Sequence, residues 1–339
     1  MGCRASKIND VMKESWDYLI VLDACRHDYF KREYKKFFQG KLENRISLGS
    51  ATPEWCRKQF KDYFPDIIYI SGNPYINSKK SIAGFDAKKH FYKVIDVWDF
   101  GWNEKLWTVT PEKVTAATLD SIDKYPKKRC VIHYLQPHVP YISPKFKIEL
   151  KGAPVITGWR NHALNANMGE SKVERYLKSL ADKIMRSLKH KIHVLFIKIG
   201  LNRQYELRKL FGLPPARPME ATWRIYGVEG LKQAYSENLK IVLEHVTVLC
   251  TEILRQKPSA QIVVTADHGD LLGENGNFDH YPGSKDLVLL EVPWLKVKSI
   301  KNSGIPTSFA KPAEGSYKTR LKEKIRRIKK SEKSRKLHT

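Results

Sequence analysis

The sequence predicts an α/β fold, a mostly parallel central sheet with helices on both faces and a helical insertion. Short apolar, β-rich runs end in polar clusters, helical patterns lie between them, and a basic stretch in the middle of the chain departs from both. The chain has 339 residues, which suits one large α/β domain with an insertion. Counting glycine, about 48% of it is apolar. A sizeable core is therefore available, and wholesale disorder is excluded.

Tyr18–Leu22 is a compact apolar run ending in Asp23, Ala24, Cys25, Arg26, His27 and Asp28, as a buried parallel strand delivers polar groups to its C-terminal edge. Similar runs are Ile67–Ile70 before Ser71–Pro74, Cys130–Leu135 before Gln136–Pro140, and Gln261–Thr265 before Ala266–Asp270. Thr110 and Pro111 open a helix that continues through Val114, Ala117, Leu119 and Ile122. From about 145 to 227 the chain is rich in Arg and Lys, with amphipathic patterns such as Val173–Leu188, and reads as a mostly helical insertion over one edge. A long helix is expected from about Val228 to Arg255, because Leu231, Tyr235, Leu239, Val242, Val246, Leu249 and Ile253 recur every three or four residues. Beyond Trp294–Val297 the pattern weakens. Residues 1–300 thus read as one domain carrying the insertion, and 301–339 as a basic C-terminal tail.

Lys and Arg number 61 against 36 Asp and Glu, a net charge of +25. Partners carrying negative charge are implied: nucleic acid, an anionic membrane surface or a polyanionic substrate. Leu321, Ile325 and Ile328 form a narrow apolar stripe among basic residues of the tail, suited to peripheral contact with anionic lipid; a solvated tail is the plainer reading. Cys3, Cys25, Cys56, Cys130 and Cys250 are too few and scattered for a disulfide framework. No stretch approaches the roughly 18 apolar residues of a membrane span. The expectation is a cytoplasmic chain, peripheral at the inner face of the membrane. Met1–Ser6 also fits the loose M-G-x-x-x-[ST] acylation pattern.

Asp267 and His268, side by side at a strand end, can both turn toward one cation while Gly269 lets the backbone bend away. Alone they would equally suit a capped turn. Asp23, leaving a second core strand at the same kind of edge, favours a metal site.

These motifs resemble the alkaline phosphatase superfamily in its sulfatase-like branch, which includes sulfatases, phosphoethanolamine transferases and lipoteichoic acid synthases. Leu22-Asp23-Ala24-Cys25-Arg26 is similar to the first-strand metal motif. Asp267-His268-Gly269, Gly273-Glu274 and His280-Tyr281-Pro282 resemble the second metal motif and its downstream histidine, and Pro137-His138-Val139-Pro140-Tyr141 the segment whose histidine faces the ester. The resemblance spans roughly residues 16 to 298 and implies an alkaline-phosphatase-like fold. It also implies a metal-dependent hydrolase or transferase of a phosphate-type ester, with Asp23, Asp267 and His268 on the metal and Arg26, His138 and His280 contacting the anion or protonating the leaving group.

The nucleophile implied by the resemblance lies at a helix N-terminus within Ser50-Ala51-Thr52-Pro53-Glu54-Trp55. Thr52 is the candidate and Ser50 the fallback; either could instead simply cap the helix. Ala51 stands where sulfatases carry the cysteine that becomes formylglycine, and Trp55 where they carry arginine. A sulfate ester hydrolase working without formylglycine is therefore the second reading, and a non-catalytic polyanion-binding protein on this fold the third. The D-x-x-x-H set of two-metal relatives is not found around Ser236–Asn238 or Glu244-His245, so one divalent ion is expected. Mixed N/O ligands suit Zn²⁺ or Mn²⁺, with Mg²⁺ or Ca²⁺ as alternatives. His133 inside its strand reads as a packed histidine, Asn73 as an ordinary Asn-Pro turn, Cys25 and Cys56 as buried small hydrophobes, and Asp28 as the partner of a base.

Overall fold

The alternating runs assemble into one eight-stranded sheet in a computed structural model that describes residues 7–146, 148, 160, 164 and 204–301. In chain order the strands are β1 Lys7–Asn9, β2 Tyr18–Leu22, β3 Phe38–Ser47, β4 Phe64–Ser71, β5 Phe91–Asp96, β6 Trp102–Asn103, β7 Thr108–Val109, β8 Arg129–Tyr134, β9 Ile262–Ala266, β10 Leu271–Leu272, β11 Phe278–Asp279 and β12 Glu291–Ile300. The pairs β6–β7 and β10–β11 are separate hairpins; the main sheet runs β1-β3-β12-β9-β2-β8-β4-β5. Only β12 opposes the common direction. The sheet is therefore mostly parallel, as the sequence predicts.

Both faces are covered, which is why the central strands are apolar without a break. Tyr18, Ile20 and Leu22 enter one core cluster with Val114, Leu239 and Val246, while Leu19 and Val21 enter the other with Trp55, Phe60 and Tyr69. The period-2 alternation of β2 is thus divided between two buried faces. Among the described residues the α-helices are α1 His27–Glu33, α2 Thr52–Gln59, α3 Val97–Phe100, α4 Pro111–Lys124, α5 Gln204–Leu210, α6 Pro218–Gln256 and α7 Leu287–Leu290. α4 and α6 cover the first face and α2 the second.

Helix α6 starts at Pro218, earlier than the periodicity indicates, and is broken at Gly227, whose φ is +67°. That left-handed residue separates the expected helix from the inserted region. Leu231, Leu239, Val242, Val246 and Leu249 are fully buried, each contributing about 1.5–3 kcal/mol by removal from water. Strands β3 and β12 lie outside the sequence reading: β3 mixes buried Phe38, Arg45 and Ser47 with exposed Gln39 and Lys41 without a clean alternation, and the lysines of β12 fall on its more exposed positions. Met1–Ser6, Val173–Leu188 and the tail beyond 301 lie outside the described residues.

Register places the site. Leu22 pairs with both Ala266 and Tyr134, so β9, β2 and β8 end level at the middle of the sheet. The polar segments that leave these three strands therefore share one edge.

Candidate active site

Asp23 and Asp267 emerge from β2 and β9 and are buried. Ala24 takes a left-handed φ of +56°, and its N–H donates to Asp267 Oδ1 at 3.0 Å, as does that of His268 at 2.9 Å. Asn73, following β4, donates to Asp23 Oδ2 at 2.6 Å while its Oδ1 accepts from the Tyr75 N–H at 2.9 Å. It is both the expected Asn-Pro turn and a support for Asp23. His268 Nε2 lies 3.3 Å from Asp267 Oδ2 and 3.9 Å from Asp23 Oδ1. Burial and the neighbouring Asp267 push the Asp23 carboxyl well up. Burial would raise Asp267 as well, but His268, His133 and the Thr52 hydroxyl hold it below its ordinary value. Two close carboxylates thus hold their negative charge unequally.

His133 belongs to this group, against the sequence expectation of a packed histidine. Tyr69 meets its Nδ1 at 2.8 Å. Its buried Nε2 has no hydrogen-bond partner and lies 3.8 Å from Asp267 Oδ2 and 3.9 Å from Asp23 Oδ2. Asp23, His133 and Asp267 each present a ligand atom within 4.8 Å of the others. The strand alternation that makes His133 look like core also points it into the site, and no local signal separates the two outcomes.

Thr52 opens α2, but Ala51 occupies the capping position and makes no side-chain cap. The Thr52 hydroxyl is instead turned inward, donating to Asp267 Oδ2 at 2.7 Å and lying 3.3 Å from His268 Nε2. Ser50 points elsewhere: its Oγ donates to the Tyr281 carbonyl at 2.8 Å and accepts from the Ser284 N–H at 3.0 Å. Glu54 Oε2 accepts from the N–H groups of Ser50 at 3.1 Å and Gly283 at 3.0 Å. Ser50 and Glu54 therefore clasp the Thr52 helix to the loop that follows His280.

Burial would raise the Glu54 carboxyl, but Lys58, Gly283 and Ser50 bring it down to about 2. A depressed carboxylate stabilises the fold fully above its ordinary value of 4.5 and ceases to do so as pH falls through about 2. Glu54→Gln is expected to cost about 1 kcal/mol at pH 7, because its partner Lys58 is half exposed and solvent screens the pair. Urea unfolding of both proteins at pH 7 and pH 3 should show this difference shrinking at the lower pH.

A second group sits beside the first. His138, Asp270 and His280 present ligand atoms within 4.8 Å of one another. Asp270 Oδ1 lies 3.0 Å from His280 Nδ1, while its buried Oδ2 has no partner. The rings of His138 and His280 are 5.2 Å apart, and those of His268 and His280 4.1 Å. Burial pushes Asp270 up to about 7 and His138 down to about 4. The D-x-x-x-H set of two-metal relatives is not needed to make such a cluster, since Asp270 lies next to the strand-end motif, His280 follows ten residues later and His138 arrives from the segment after β8.

Arg26 is placed differently from its expected role. Its Nε and Nη2 donate to Asp28 at 2.9 and 3.0 Å, and its Nη1 to Glu274 at 2.5 Å and to the Asp270 carbonyl at 3.3 Å. Four of its five N–H groups go to these partners, so it fixes the loops. Two supports from α6 are equally illegible in the sequence. The Tyr235 hydroxyl donates to the Ala24 carbonyl and accepts from the Arg26 N–H, and Asn238 Nδ2 donates to the carbonyls of Pro137, His138 and Pro140.

No family model matches the chain, and no curated protein does. Solved structures with a similar arrangement include the C-terminal periplasmic domain of EptC from Escherichia coli, 10% identical with a TM-score of 0.44, covering 89% of this chain and 78% of that one. The integral membrane lipooligosaccharide phosphoethanolamine transferase A of Neisseria meningitidis is 12% identical with a TM-score of 0.42, over 91% of this chain and 52% of that one. This chain thus spans about half of that protein's length. A phosphonate monoester hydrolase from Silicibacter pomeroyi is 12% identical with a TM-score of 0.37, over 88% and 68%. Phosphoethanolamine transferases are among the proteins that the sequence motifs resemble.

The cytoplasmic location expected from the sequence is contradicted by two of these structures, one a periplasmic domain and the other an integral membrane protein. The expectation leaned on scarce cysteines. The four described cysteines are buried and free, packed as small apolar side chains, and such packing carries no information about compartment. Among the described residues, no helix is long and apolar enough to cross a membrane.

Proposed function

We propose that this protein hydrolyses or transfers a phosphate-type ester, with Thr52 as nucleophile at a site that holds a divalent cation. The observation that carries this reading is the Thr52 hydroxyl on Asp267 Oδ2 at 2.7 Å, at the start of α2 and over the ends of β2 and β9. The first-turn N–H groups of a helix favour negative charge, so Thr52 sits where an alkoxide is stabilised. Asp267, oriented by two backbone N–H groups, is placed to accept the hydroxyl proton.

His280 and His138 border the same space. Asp270 orients His280 through Nδ1, and the Val139 carbonyl lies 2.9 Å from Nδ1 of His138. Each histidine thereby keeps Nε2 for the ester or its leaving group. The substrate we infer is an anionic ester, lipid- or glycan-linked, as the basic chain favours.

The donor set fits a cation. Asp23, Asp267, His268 and His133 would hold it, the last through the buried Nε2 that otherwise lacks a partner. A bound divalent ion supplies polarisation of the ester oxygen and a lower pKa for the threonine hydroxyl. One observation favours a second ion: the unpartnered Oδ2 of Asp270 between His138 and His280. Metal analysis of purified protein decides between one and two ions per chain.

The test is turnover of paired chromogenic esters (phosphate monoester, phosphate diester and sulfate) after chelation and re-addition of Mn²⁺, Zn²⁺, Mg²⁺ or Ca²⁺. Metal-dependent release from a phosphoester is expected. Turnover of sulfate alone would replace the bond assigned. Inactivity on all three with no metal retained would overturn the enzyme reading in favour of a polyanion-binding protein.

A further inference from the structure

The carboxylates of Asp23, Asp267, Asp270 and Asp279 gather around the site, and Arg26 is spent on Asp28 and Glu274. A phosphate-type ester brings more negative charge to this place. We propose that Arg217, supplied by the inserted region just before α6, receives the anionic oxygens of the substrate. This inference rests on the phosphoester reading above and names the residue that admits such a substrate.

The Arg217 side chain is 53% exposed and donates from Nη1 to Asp279 Oδ2 at 2.9 Å. Asp279 is held in turn by the Tyr205 hydroxyl at 2.5 Å. Its chain neighbour His280 is the histidine paired with Asp270. Among the described residues, one guanidinium donor is used and the rest remain, at a position open to solvent. Arg217 thus takes up the anion contact that the sequence reading gives to Arg26, while Arg26 supports the loops.

The charge of Arg217 acts on Asp270, His280 and Tyr75. Tyr75 belongs to the turn in which Asn73 holds Asp23. The guanidinium thus stands on Asp279, one residue before His280. Its planar fork suits a tetrahedral anion that presents two oxygens, a match that a lysine ammonium does not reproduce.

The test measures inorganic phosphate binding to the metal-loaded protein by titration calorimetry, together with metal content and KM for a chromogenic phosphoester. Arg217→Gln is expected to weaken phosphate binding roughly tenfold to a hundredfold and to raise KM, with metal content unchanged. Arg217→Lys should fall between. Tyr205→Phe disturbs Asp279 but keeps the cation, and should bind phosphate within about threefold of the parent.

Parental phosphate binding by Arg217→Gln would remove Arg217 from the site and leave the phosphoester reading standing. A loss in Tyr205→Phe equal to that in Arg217→Gln would trace the effect to a displaced Asp279 and also overturn the proposal. A metal-loaded parent that binds no phosphate would overturn both readings.

Discussion

Asp267→Asn is expected to strip the protein of its divalent cation and of turnover together. The side chain is completely buried, and its two oxygens are committed to opposite sides: Oδ1 to the N–H groups of Ala24 and His268, Oδ2 to the Thr52 hydroxyl. An asparagine must turn its NH₂ either toward those N–H donors or toward Thr52 and the cation. Either orientation loses an anionic ligand and sets a donor against a donor or a cation. Metal affinity should fall by more than about a hundredfold, beyond what losing a mere supporting group costs. Turnover should fall on the order of 10⁴-fold.

A thermal readout separates this from misfolding. In the parent, a cation binding only the folded state raises the unfolding temperature; in Asp267→Asn that rise should be absent. The cation-free variant should stay folded, because removing one of two close buried carboxylates relieves the repulsion that pushes Asp23 up. Metal retained at the parental stoichiometry would remove Asp267 from the ligand set.

Thr52→Ala should have the complementary profile: metal bound within a few-fold of the parent, but turnover reduced about 10³-fold or more. Asp23, Asp267, His268 and His133 remain to hold the ion, whereas no other hydroxyl among the described residues is placed to attack. Ser50 does not substitute, since its Oγ is already shared between the Tyr281 carbonyl and the Ser284 N–H. Thr52→Ser should recover part of the activity, as the hydroxyl returns without the methyl group that restricts its rotamer. Parental turnover in Thr52→Ala would overturn the nucleophile assignment. Loss of metal in step with turnover would make Thr52 a ligand first.

Much of the scaffold was legible because its signals are local. The run Tyr18–Leu22 coincides with β2, and Gln261–Thr265 is displaced by one residue from β9. Thr110 and Pro111 stand at the start of α4, and the expected helix from Val228 begins directly after the left-handed Gly227. The two longest strands were less legible. β3 reads F-Q-G-K-L-E-N-R-I-S and becomes a strand by pairing with β12, far away in the chain.

The same division runs through the site. Sequence alone determined that Asp23, Asp267 and His268 leave central strands at one edge, because an apolar run followed by polar residues marks where a buried parallel strand ends. Tertiary structure decided what each polar group meets there. His133 turns inward beside the two aspartates, Arg26 is absorbed by Asp28 and Glu274, Asn238 of α6 carries the His138 segment, and Arg217 arrives from the inserted region. Periodicity reports which face of an element is dry, and that is a property of neighbouring residues. A hydrogen bond or ion pair between residues two hundred positions apart depends on how whole elements are stacked, which the local pattern does not encode.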